Sequence, residues 1–412
     1  MKGLITAATL IFFFGSCKES GVQLSKPSTF VKYFSDGNQN EAIDILETSD
    51  KGYIILSHSD SSKGVGGINI TKTDLSGNRI WEKYIRSASG DLVPSNFVAM
   101  KDISGNDLGY VIVGTLKYPS LDSTELFVWR IKNEGTSMDS RFYARDSSSY
   151  KGYVIGKGVA QSGNSTNDIF VVGQLLKKGL LSGPPQDPNG NLIDMFFAQI
   201  NGTSLDTVFT RKYGGGTTNL ANRLYLDYSQ SSAYWGGTRT DDQGIHMRFV
   251  KSGFNSQNPI FDLPYPIGDS GYTGNDFCAY GYGFAFIGNH TGQEIAVAKV
   301  SSEGNLLDTL KFHLKSGLPF VGNSICSTLD GGLLILGSAS VDIQGTNTDY
   351  YLIKVDATRN KQWEIAQGGK YPDVGVRVLQ SSDGGYIVLG TTTLANVKTV
   401  FLMKTDSRGN IE

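Results

Sequence analysis

The stretch that decides the fold lies near the C-terminus. Residues 376–410 read V-R-V-L-Q-S-S-D-G-G-Y-I-V-L-G-T-T-T-L-A-N-V-K-T-V-F-L-M-K-T-D-S-R-G-N. Apolar residues alternate after Val376, and apolar runs follow at residues 386–389 and 400–403, so the pattern predicts three short strands. Asp383-Gly384-Gly385 separates the first two, and Asp and Gly accept the positive φ of a hairpin turn. We therefore predict a small antiparallel sheet here.

The composition of the whole chain fits an all-β protein. Its 412 residues include 51 glycines, 20 tyrosines and 21 phenylalanines, and many turns together with many aromatic residues are typical of short strands. The net charge is -2 and the sequence pI is about 6.1. A nucleic-acid-binding protein would show a basic surplus, so we exclude nucleic acid as a partner.

The C-terminal unit recurs about seven times along the chain. The fourth copy, which begins near Arg223, is the most diverged, so a count of six or eight remains open at this point. Four antiparallel strands per repeat, arranged radially, predict a β-propeller. The residues that close the second strand of each copy fall roughly 50 to 64 positions apart: Ser57, Gly114, Gly173, Gly237, Gly288, Gly337 and Gly390.

The two ends of the chain predict a closed ring. The seventh repeat stops after its third strand, and an unassigned strand, T-F-V-K-Y-F at residues 29–34, precedes the first repeat. This N-terminal strand would complete the last blade and remove the open edge between the termini. We therefore predict a single closed β-propeller over residues 29–412, with seven four-stranded blades. Trp81 and Trp363 are expected to anchor blade edges, and Gly52, Gly332 and Gly385 to shape the turns.

The repeats resemble the short β-propeller repeats of secreted and lipid-anchored proteins of the Bacteroidetes type. The shared cores have the forms S-D-G-G-Y-I-I-x-G and K-x-D-x-x-G-N-x-x-W, and the resemblance covers nearly all of the chain after the N-terminal segment. That family is functionally uncharacterised. The resemblance therefore implies a fold and carries no activity with it.

The N-terminus has the pattern of a secretory signal. Met1-Lys2 precedes an apolar run at residues 4–14, and Gly15-Ser16-Cys17 follows. The run resembles a bacterial lipobox, with Phe14 where Leu is usual, so we predict a lipoprotein signal peptide at residues 1–16, lipidation of Cys17 and a polar tether at 17–28. The alternative is ordinary signal cleavage beside an incidental cysteine. The expected location is the bacterial cell envelope, anchored by lipid to the outer membrane and facing either the periplasm or the surface.

One face of the predicted disc is expected to bind ligands. Turns between strands one and two, and three and four, are short and alike, whereas the other connections vary in length and emerge on the opposite face. Variable loops on a rigid scaffold are where binding usually resides. Aromatic residues there could stack on sugar rings or anchor a protein. Our candidates on this face are His58, Tyr118, Pro184, Pro185, Tyr265, Tyr272, His290 and Tyr371.

No sequence motif indicates a catalytic or metal site. The aspartates of the turns lack the dense carboxylate run of a calcium loop, and the four histidines lack metal-ligand spacing. No nucleophile elbow or phosphate-binding loop is present. Acids that converge only in space would leave no such trace, and no pair stands out in the sequence. Whether Cys278 and Cys326 form a disulfide stays open.

These patterns lead to one functional hypothesis and one alternative. The first is a lipid-anchored, non-enzymatic binding or scaffold module, without a cofactor or metal, whose partner is a protein or a glycan. The alternative is a glycan-binding or carbohydrate-active propeller, because a fold does not fix a function.

Overall fold

The computed structural model describes residues 29–60, 65–118, 123–144, 154–163, 167–176, 193–214, 218–254, 258–265, 270–290, 293–314, 317–342 and 347–411. These residues form 28 β-strands in seven four-stranded antiparallel sheets. The predicted seven-bladed propeller is therefore confirmed. No helix long and apolar enough to cross a membrane occurs in these ranges. Cys17 and the predicted signal peptide and tether lie outside them, as do Pro184 and Pro185.

Each blade runs outward from an inner strand near the axis. Blade one contains β2 (Gln39–Glu47), β3 (Tyr53–Asp60), β4 (Gly67–Thr73) and β5 (Arg79–Ile85), and blade two β6 (Asp91–Lys101), β7 (Asp107–Lys117), β8 (Thr124–Lys132) and β9 (Ser137–Tyr143). Blade three contains β10 (Val154–Gln161), β11 (Ile169–Leu176), β12 (Ile193–Ile200) and β13 (Thr207–Tyr213), and blade four β14 (Thr218–Asp227), β15 (Ser232–Asp241), β16 (Gly244–Gly253) and β17 (Phe261–Tyr265). Blade five contains β18 (Tyr272–Tyr280), β19 (Gly283–His290), β20 (Glu294–Ser301) and β21 (Leu306–Phe312), and blade six β22 (Phe320–Ser327), β23 (Leu333–Ser340), β24 (Thr348–Val355) and β25 (Lys361–Gln367).

Blade seven combines both ends of the chain. It contains β26 (Asp373–Gln380), β27 (Tyr386–Leu394), β28 (Val397–Thr405) and, as its outer strand, β1 (Phe30–Phe34). β1 pairs antiparallel with β28, from Phe30 opposite Lys404 to Phe34 opposite Val400. The N-terminal strand thus closes the ring as predicted, because it covers the edge that β28 would otherwise expose.

The hydrophobic core is divided among the seven interfaces between neighbouring blades. Each interface holds one cluster of buried apolar side chains, supplied mainly by the second and third strands of both blades. At the closing interface Phe34, Ile387 and Leu402 of blade seven pack against Tyr53 of blade one. Both faces of these middle strands are buried, which explains their continuous apolar runs in the sequence.

In blades one, six and seven, the turn between the first and second strands holds an aspartate that pairs with a lysine of the third strand. Burial alone would raise the pKa of the Asp50 carboxyl, but hydrogen bonds from Lys72 and Thr48 lower it to about 2. The glycine two residues after each aspartate is required for close approach rather than for positive φ, since a Cβ atom on Gly52 would lie 2.1 Å from the Thr73 carbonyl oxygen. The three ion pairs are Asp50–Lys72 at 2.7 Å, Asp330–Lys354 at 2.8 Å and Asp383–Lys404 at 2.5 Å.

Every inner strand carries a β-bulge at the same level. The bulge follows the residue that pairs with the last residue of the second-strand motif, which is Ser57 in blade one and a glycine in the other six. A bulge adds one residue and re-aims the side chains around it. The bulged residues are Ile43, Ser95, Lys157, Asn222, Asn275, Asn323 and Val376. We call the residues that follow them the axial ring: Asp44, Asn96, Gly158, Arg223, Asp276, Ser324 and Arg377.

Candidate functional site

The axial ring contains a charge-balanced network that joins opposite blades. Arg223 lies 3.3 Å from Asp44 and 3.7 Å from Asp276, and Arg377 contacts the same two carboxylates. Asn96 donates to Asp44 at 2.5 Å, and the Ser324 hydroxyl donates to Asp276 at 2.9 Å. Two carboxylates and two guanidinium groups are thus committed to one another. These contacts crosslink blades one, four, five and seven at the centre of the propeller. Removing one charged member would leave the network with an uncompensated net charge.

Two cysteines lie beside this network. Cys278 and Cys326 occupy equivalent positions in blades five and six, two residues after Asp276 and Ser324, and both are free thiols. Burial raises the pKa of Cys326 to about 12 and that of Cys278 well above its usual value. Because the thiolate is the reactive form, neither cysteine is suited to nucleophilic chemistry.

The candidate residues of the loop-rich face divide into paired, buried and exposed side chains. His58 lies 2.8 Å from Asp91, and the Tyr118 hydroxyl donates to Glu125 at 2.8 Å. Tyr371 is 42% exposed, as expected for a binding loop.

Tyr265 and Tyr272 were also predicted to be accessible on the loop-rich face, and for these two residues the prediction is wrong. Tyr265 ends β17 and is 4% exposed, and Tyr272 begins β18 and is 1% exposed. Tyr265 donates to the Gly304 carbonyl at 2.8 Å, and Tyr272 stacks on His290 with ring centroids 4.5 Å apart. Both tyrosines extend the strand pairing of their blades, so they belong to the core.

A carboxylate recurs at one position of the loop-rich face in four blades. It lies near the start of the third strand. Its cross-strand partner is the residue two places after the glycine that closes the second-strand motif. The four residues are Glu125, Asp194, Glu294 and Asp349.

Three of these carboxylates have a donor from their own blade. Glu125 accepts from Tyr118, and Asp194 lies 2.9 Å from Lys212. Glu294 lies 3.2 Å from Lys311 and 2.9 Å from His313. Burial opposes ionisation of Glu294, yet its hydrogen bonds from Tyr272 and Lys311 lower its pKa overall.

Asp349 of blade six is the exception. Its Oδ1 atom is buried and has no hydrogen-bond partner among the described residues. The cross-strand register explains why. In blades three and five, a lysine of the outer strand, Lys212 or Lys311, pairs with the residue two places after the carboxylate. In blade six the equivalent residue of the outer strand is Ala366, which has no donor. Burial, followed by the charge of Asp373, raises the pKa of the Asp349 carboxyl.

Asp373, at the start of β26, lies close to Asp349. A Cβ atom on Gly368 would be 2.1 Å from Asp349 Oδ1 and 2.9 Å from Asp373 Oδ2, so these two oxygens are at most about 5 Å apart. Gly368 has no side chain, and this leaves the space that the two carboxyl groups share. Asp373 Oδ2 accepts a hydrogen bond from the Gly369 N–H at 2.7 Å, which fixes its orientation.

Asp373 and Gly368 line a cavity of about 210 Å³ between blades six and seven, which we call the blade-six cavity. Exposed tyrosines stand at its rim: Tyr33 of β1 is 56% exposed and Tyr371 is 42% exposed. Lys370 lies over the Tyr371 ring, with its Nζ atom 5.6 Å from the centroid. The cavity therefore combines the Asp373 carboxyl, which lies close to the buried Asp349 Oδ1 atom behind the lining, with aromatic surfaces and a cation. Within the described ranges we find no group of three or more His, Cys, Asp or Glu side chains suited to a metal ion.

Sequence reasoning found Tyr371 but missed Asp349, Asp373 and Tyr33. A signal was present: aligning the starts of the third strands brings Glu125, Asp194, Glu294 and Asp349 together. The same alignment shows Ala366 where two other blades have lysine.

No protein family profile and no curated protein match this chain. Solved propeller structures do. The Dos1 propeller matches with a TM-score of 0.50 at 9% identity, covering 92% of this chain and 95% of that one. The α-L-arabinofuranosidase Arb93A of Fusarium graminearum matches with a TM-score of 0.48 at 12% identity, covering 92% and 98%. The sialidase of Trypanosoma rangeli in complex with sialic acid matches with a TM-score of 0.49 at 12% identity, covering 91% of this chain and 58% of that one. Likenesses at such low identity show the fold alone.

The expectation that the protein is not an enzyme is corrected by this comparison. That expectation rested on the absence of local catalytic motifs, and a sialidase and an arabinofuranosidase are among the propellers that the chain resembles. Since glycosidases use carboxyl groups that converge in space, a missing motif does not argue against an activity on this scaffold.

Proposed function

We propose that the protein is a carbohydrate-active propeller that holds a glycan at the blade-six cavity and cleaves a glycosidic bond with Asp349 and Asp373. The observation that carries this proposal is the buried Oδ1 atom of Asp349, which has no hydrogen-bond partner among the described residues and lies at most about 5 Å from Asp373 Oδ2. This upper bound is below the roughly 6.5 to 9.5 Å that separates the carboxyl groups of inverting glycosidases and is nearer to the roughly 5 to 5.5 Å of retaining ones.

The two acids have different environments, and this assigns their roles. The raised pKa of Asp349 suits a general acid that protonates the leaving glycosidic oxygen. Asp373, held by the Gly369 N–H, is the nucleophile that attacks the anomeric carbon and forms a glycosyl ester. Water then attacks the same carbon and gives its proton to Asp349, which releases the sugar and restores both groups.

The rim of the cavity supports a sugar ligand. Tyr33 and Tyr371 offer exposed ring faces on which a pyranose or furanose can stack. The volume of about 210 Å³ is below the roughly 300 to 1,000 Å³ of common small-molecule pockets. It suits a single sugar ring of a chain whose neighbouring rings lie on the surface.

The test is hydrolysis of a panel of polysaccharides by the purified chain, followed through released reducing ends. We expect Asp349→Asn and Asp373→Asn to lower kcat at least about 100-fold, because each removes one of the two reacting carboxyl groups. Ala366→Lys should also lower activity, since it supplies the cation that blades three and five provide and stabilises the ionised form of Asp349.

The matched control is Glu125→Gln, which changes the equivalent carboxylate of blade two and should leave kcat unchanged. Carbon-13 NMR of the Asp349 carboxyl gives a second readout: its pKa should lie above 3.8 in the wild type and fall in the Ala366→Lys variant. Equal hydrolysis by the wild type and the Asp373→Asn variant would refute the assignment.

We further propose that the protein works at the bacterial cell envelope, anchored by lipid on Cys17, with the glycan as its partner there. The run from Phe14 to Cys17 supports this location. In cells grown with a labelled fatty acid, the wild-type chain should take up label and sediment with membranes. A Cys17→Ala form should do neither, and equal membrane association of both forms would contradict the anchor.

A further inference from the structure

A second polar site is formed by the bulged residues, which lie one position before the axial ring on each inner strand and therefore nearer the loop-rich face. In blades four to six the bulged residue is an asparagine whose Nδ2 group donates to a glycine carbonyl of the next blade. These bonds are Asn222 to Gly274 at 2.6 Å, Asn275 to Gly322 at 2.7 Å and Asn323 to Gly375 at 2.7 Å.

These bonds fix how the three asparagines are oriented. A carbonyl oxygen only accepts hydrogen bonds, so the amide nitrogen must face it and the Oδ1 atom must point the other way. In the described structure no donor reaches the three Oδ1 atoms. These atoms are also not buried, so a ligand could reach them. Three neighbouring blades thus present a row of free acceptors along the inner wall.

Lys157 holds the same position in blade three, next to Asn222 in the order of blades. It is half-buried on the inner strand and has no hydrogen bond or ion pair with any residue that the structure describes. The next residue, Gly158, contributes no side chain to the axial ring. Lysines are seldom withdrawn from water without a partner, because an unpaired charge there is costly.

No carboxylate of the axial ring compensates this lysine. Asp44 and Asp276 are each shared by Arg223 and Arg377, so the ring is neutral without Lys157. Burial, and then the like charge of Lys117, lower the pKa of Lys157. An anion beside Lys157 would favour the charged form of the lysine, so the inner wall at blade three combines an unmatched cationic group with a row of hydrogen-bond acceptors.

We propose that this inner wall binds a small hydroxylated carboxylate of the sugar-acid class, with its carboxylate on Lys157 and its hydroxyl groups donating to the Oδ1 atoms of Asn222, Asn275 and Asn323. The lysine supplies the charge that an anion needs. The asparagine oxygens accept from several hydroxyl groups, whereas inorganic phosphate at neutral pH offers at most two and its other oxygens are repelled. The site is separate from the blade-six cavity and does not depend on the proposed hydrolysis.

The test is isothermal titration of the full chain with D-galacturonate, D-glucose and inorganic phosphate. We expect galacturonate to bind more tightly than either other probe, and Lys157→Met to weaken it at least about tenfold through loss of a charge-assisted hydrogen bond. Lys157→Arg, which keeps the charge, should retain binding, as should Asp373→Asn of the blade-six cavity and Lys83→Met on an outer strand.

Thermal unfolding shows whether a variant that fails to bind is still folded. Lys157→Met should melt no lower than the wild type, because it removes an uncompensated basic group, and galacturonate should raise the Tm of the wild type but not that of Lys157→Met. The proposal is overturned if phosphate binds as well as galacturonate, if Lys157→Met binds galacturonate like the wild type, or if the wild type binds none of the three probes.

Discussion

At the scale of single residues, the chemistry of this propeller is set by departures from its own repeat. Four blades place a carboxylate at the start of the third strand, and three of them add a tyrosine, lysine or histidine donor. In blade six the lysine position is Ala366, so Asp349 is left beside Asp373. A repeat that satisfies its acids in three places and not in the fourth is what the proposed activity at the fourth would produce, since activity commonly costs stability.

This cost predicts a pH dependence. The raised pKa of Asp349 means that its contribution to stability is full below 3.8 and is lost as the pH rises through its folded-state pKa. Asp349→Asn should therefore stabilise the protein at pH 7 by about 1 kcal/mol, the order of one unsatisfied buried polar group. The advantage should shrink as the pH falls toward 4, measured by urea unfolding at several pH values.

Asp194→Asn is the matched control for this prediction. It changes the equivalent carboxylate of blade three, which has Lys212 as its partner, and should destabilise the protein slightly at pH 7. A stabilising effect in both variants, or in neither, would show that the missing partner is not what distinguishes Asp349.

At the scale of the element, an aromatic ring on the outer strand of one blade packs against a glycine in a turn of the next blade. A Cβ atom on Gly135, in the turn after β8 of blade two, would lie 2.7 Å from the Trp81 ring of blade one. Gly409 of blade seven stands in the same relation to Trp363 of blade six, at 3.0 Å. Both glycines have positive φ as well, so the turn and the packing require the same residue. The expected anchoring roles of Trp81 and Trp363 are confirmed by these contacts.

Removing one such ring should therefore loosen one blade interface. We expect Trp81→Ala to lower the free energy of unfolding by about 2 kcal/mol, less than the cost for a fully buried Trp because this side chain is half-buried. Ile80→Ala, at the neighbouring position that is 58% exposed, should change it by less than about 0.5 kcal/mol. Chemical denaturation compares the two, and equal losses would contradict the anchoring role.

At the scale of the whole molecule, the ring is closed twice. β1 closes it at the rim by pairing with β28. The axial ring closes it at the centre, where Arg377 of the last blade contacts Asp44 of the first. Phe30 adds to the outer closure, since its ring lies 6.3 Å from that of Tyr53 in blade one.

Deletion of residues 29–34 should open the rim and lower the Tm by about 10 °C or more, because the edge of β28 and the apolar surface under Phe34 become exposed. Val31→Ala, at a position that is 37% exposed, is the control and should melt within about 2 °C of the wild type. Differential scanning calorimetry measures both. An unchanged melting temperature after the deletion would refute the role of β1 in closure.

The sequence alone determined the architecture, because each feature of the fold has a local cause. Alternating apolar residues define the strands, Asp-Gly turns define the hairpins, and the repeat of about 50 to 64 residues defines the blades. Even the closure was predictable from the missing fourth strand at one end and the extra strand 29–34 at the other. These signals act within a few residues of one another, so reading along the chain recovers them.

Only the tertiary structure decided which side chains share a site. Asp349 and Asp373 belong to different blades, and their proximity depends on the connection through Gly368. The axial ring draws one residue from each blade, so Asp44 and Arg377 meet although most of the chain separates them. Contacts between residues so far apart in the sequence leave no repeating pattern along the chain. Tyr371 was therefore predictable as an exposed residue of the loop-rich face, whereas Asp349 and Asp373 were not, because what distinguishes them is the partner that Asp349 lacks.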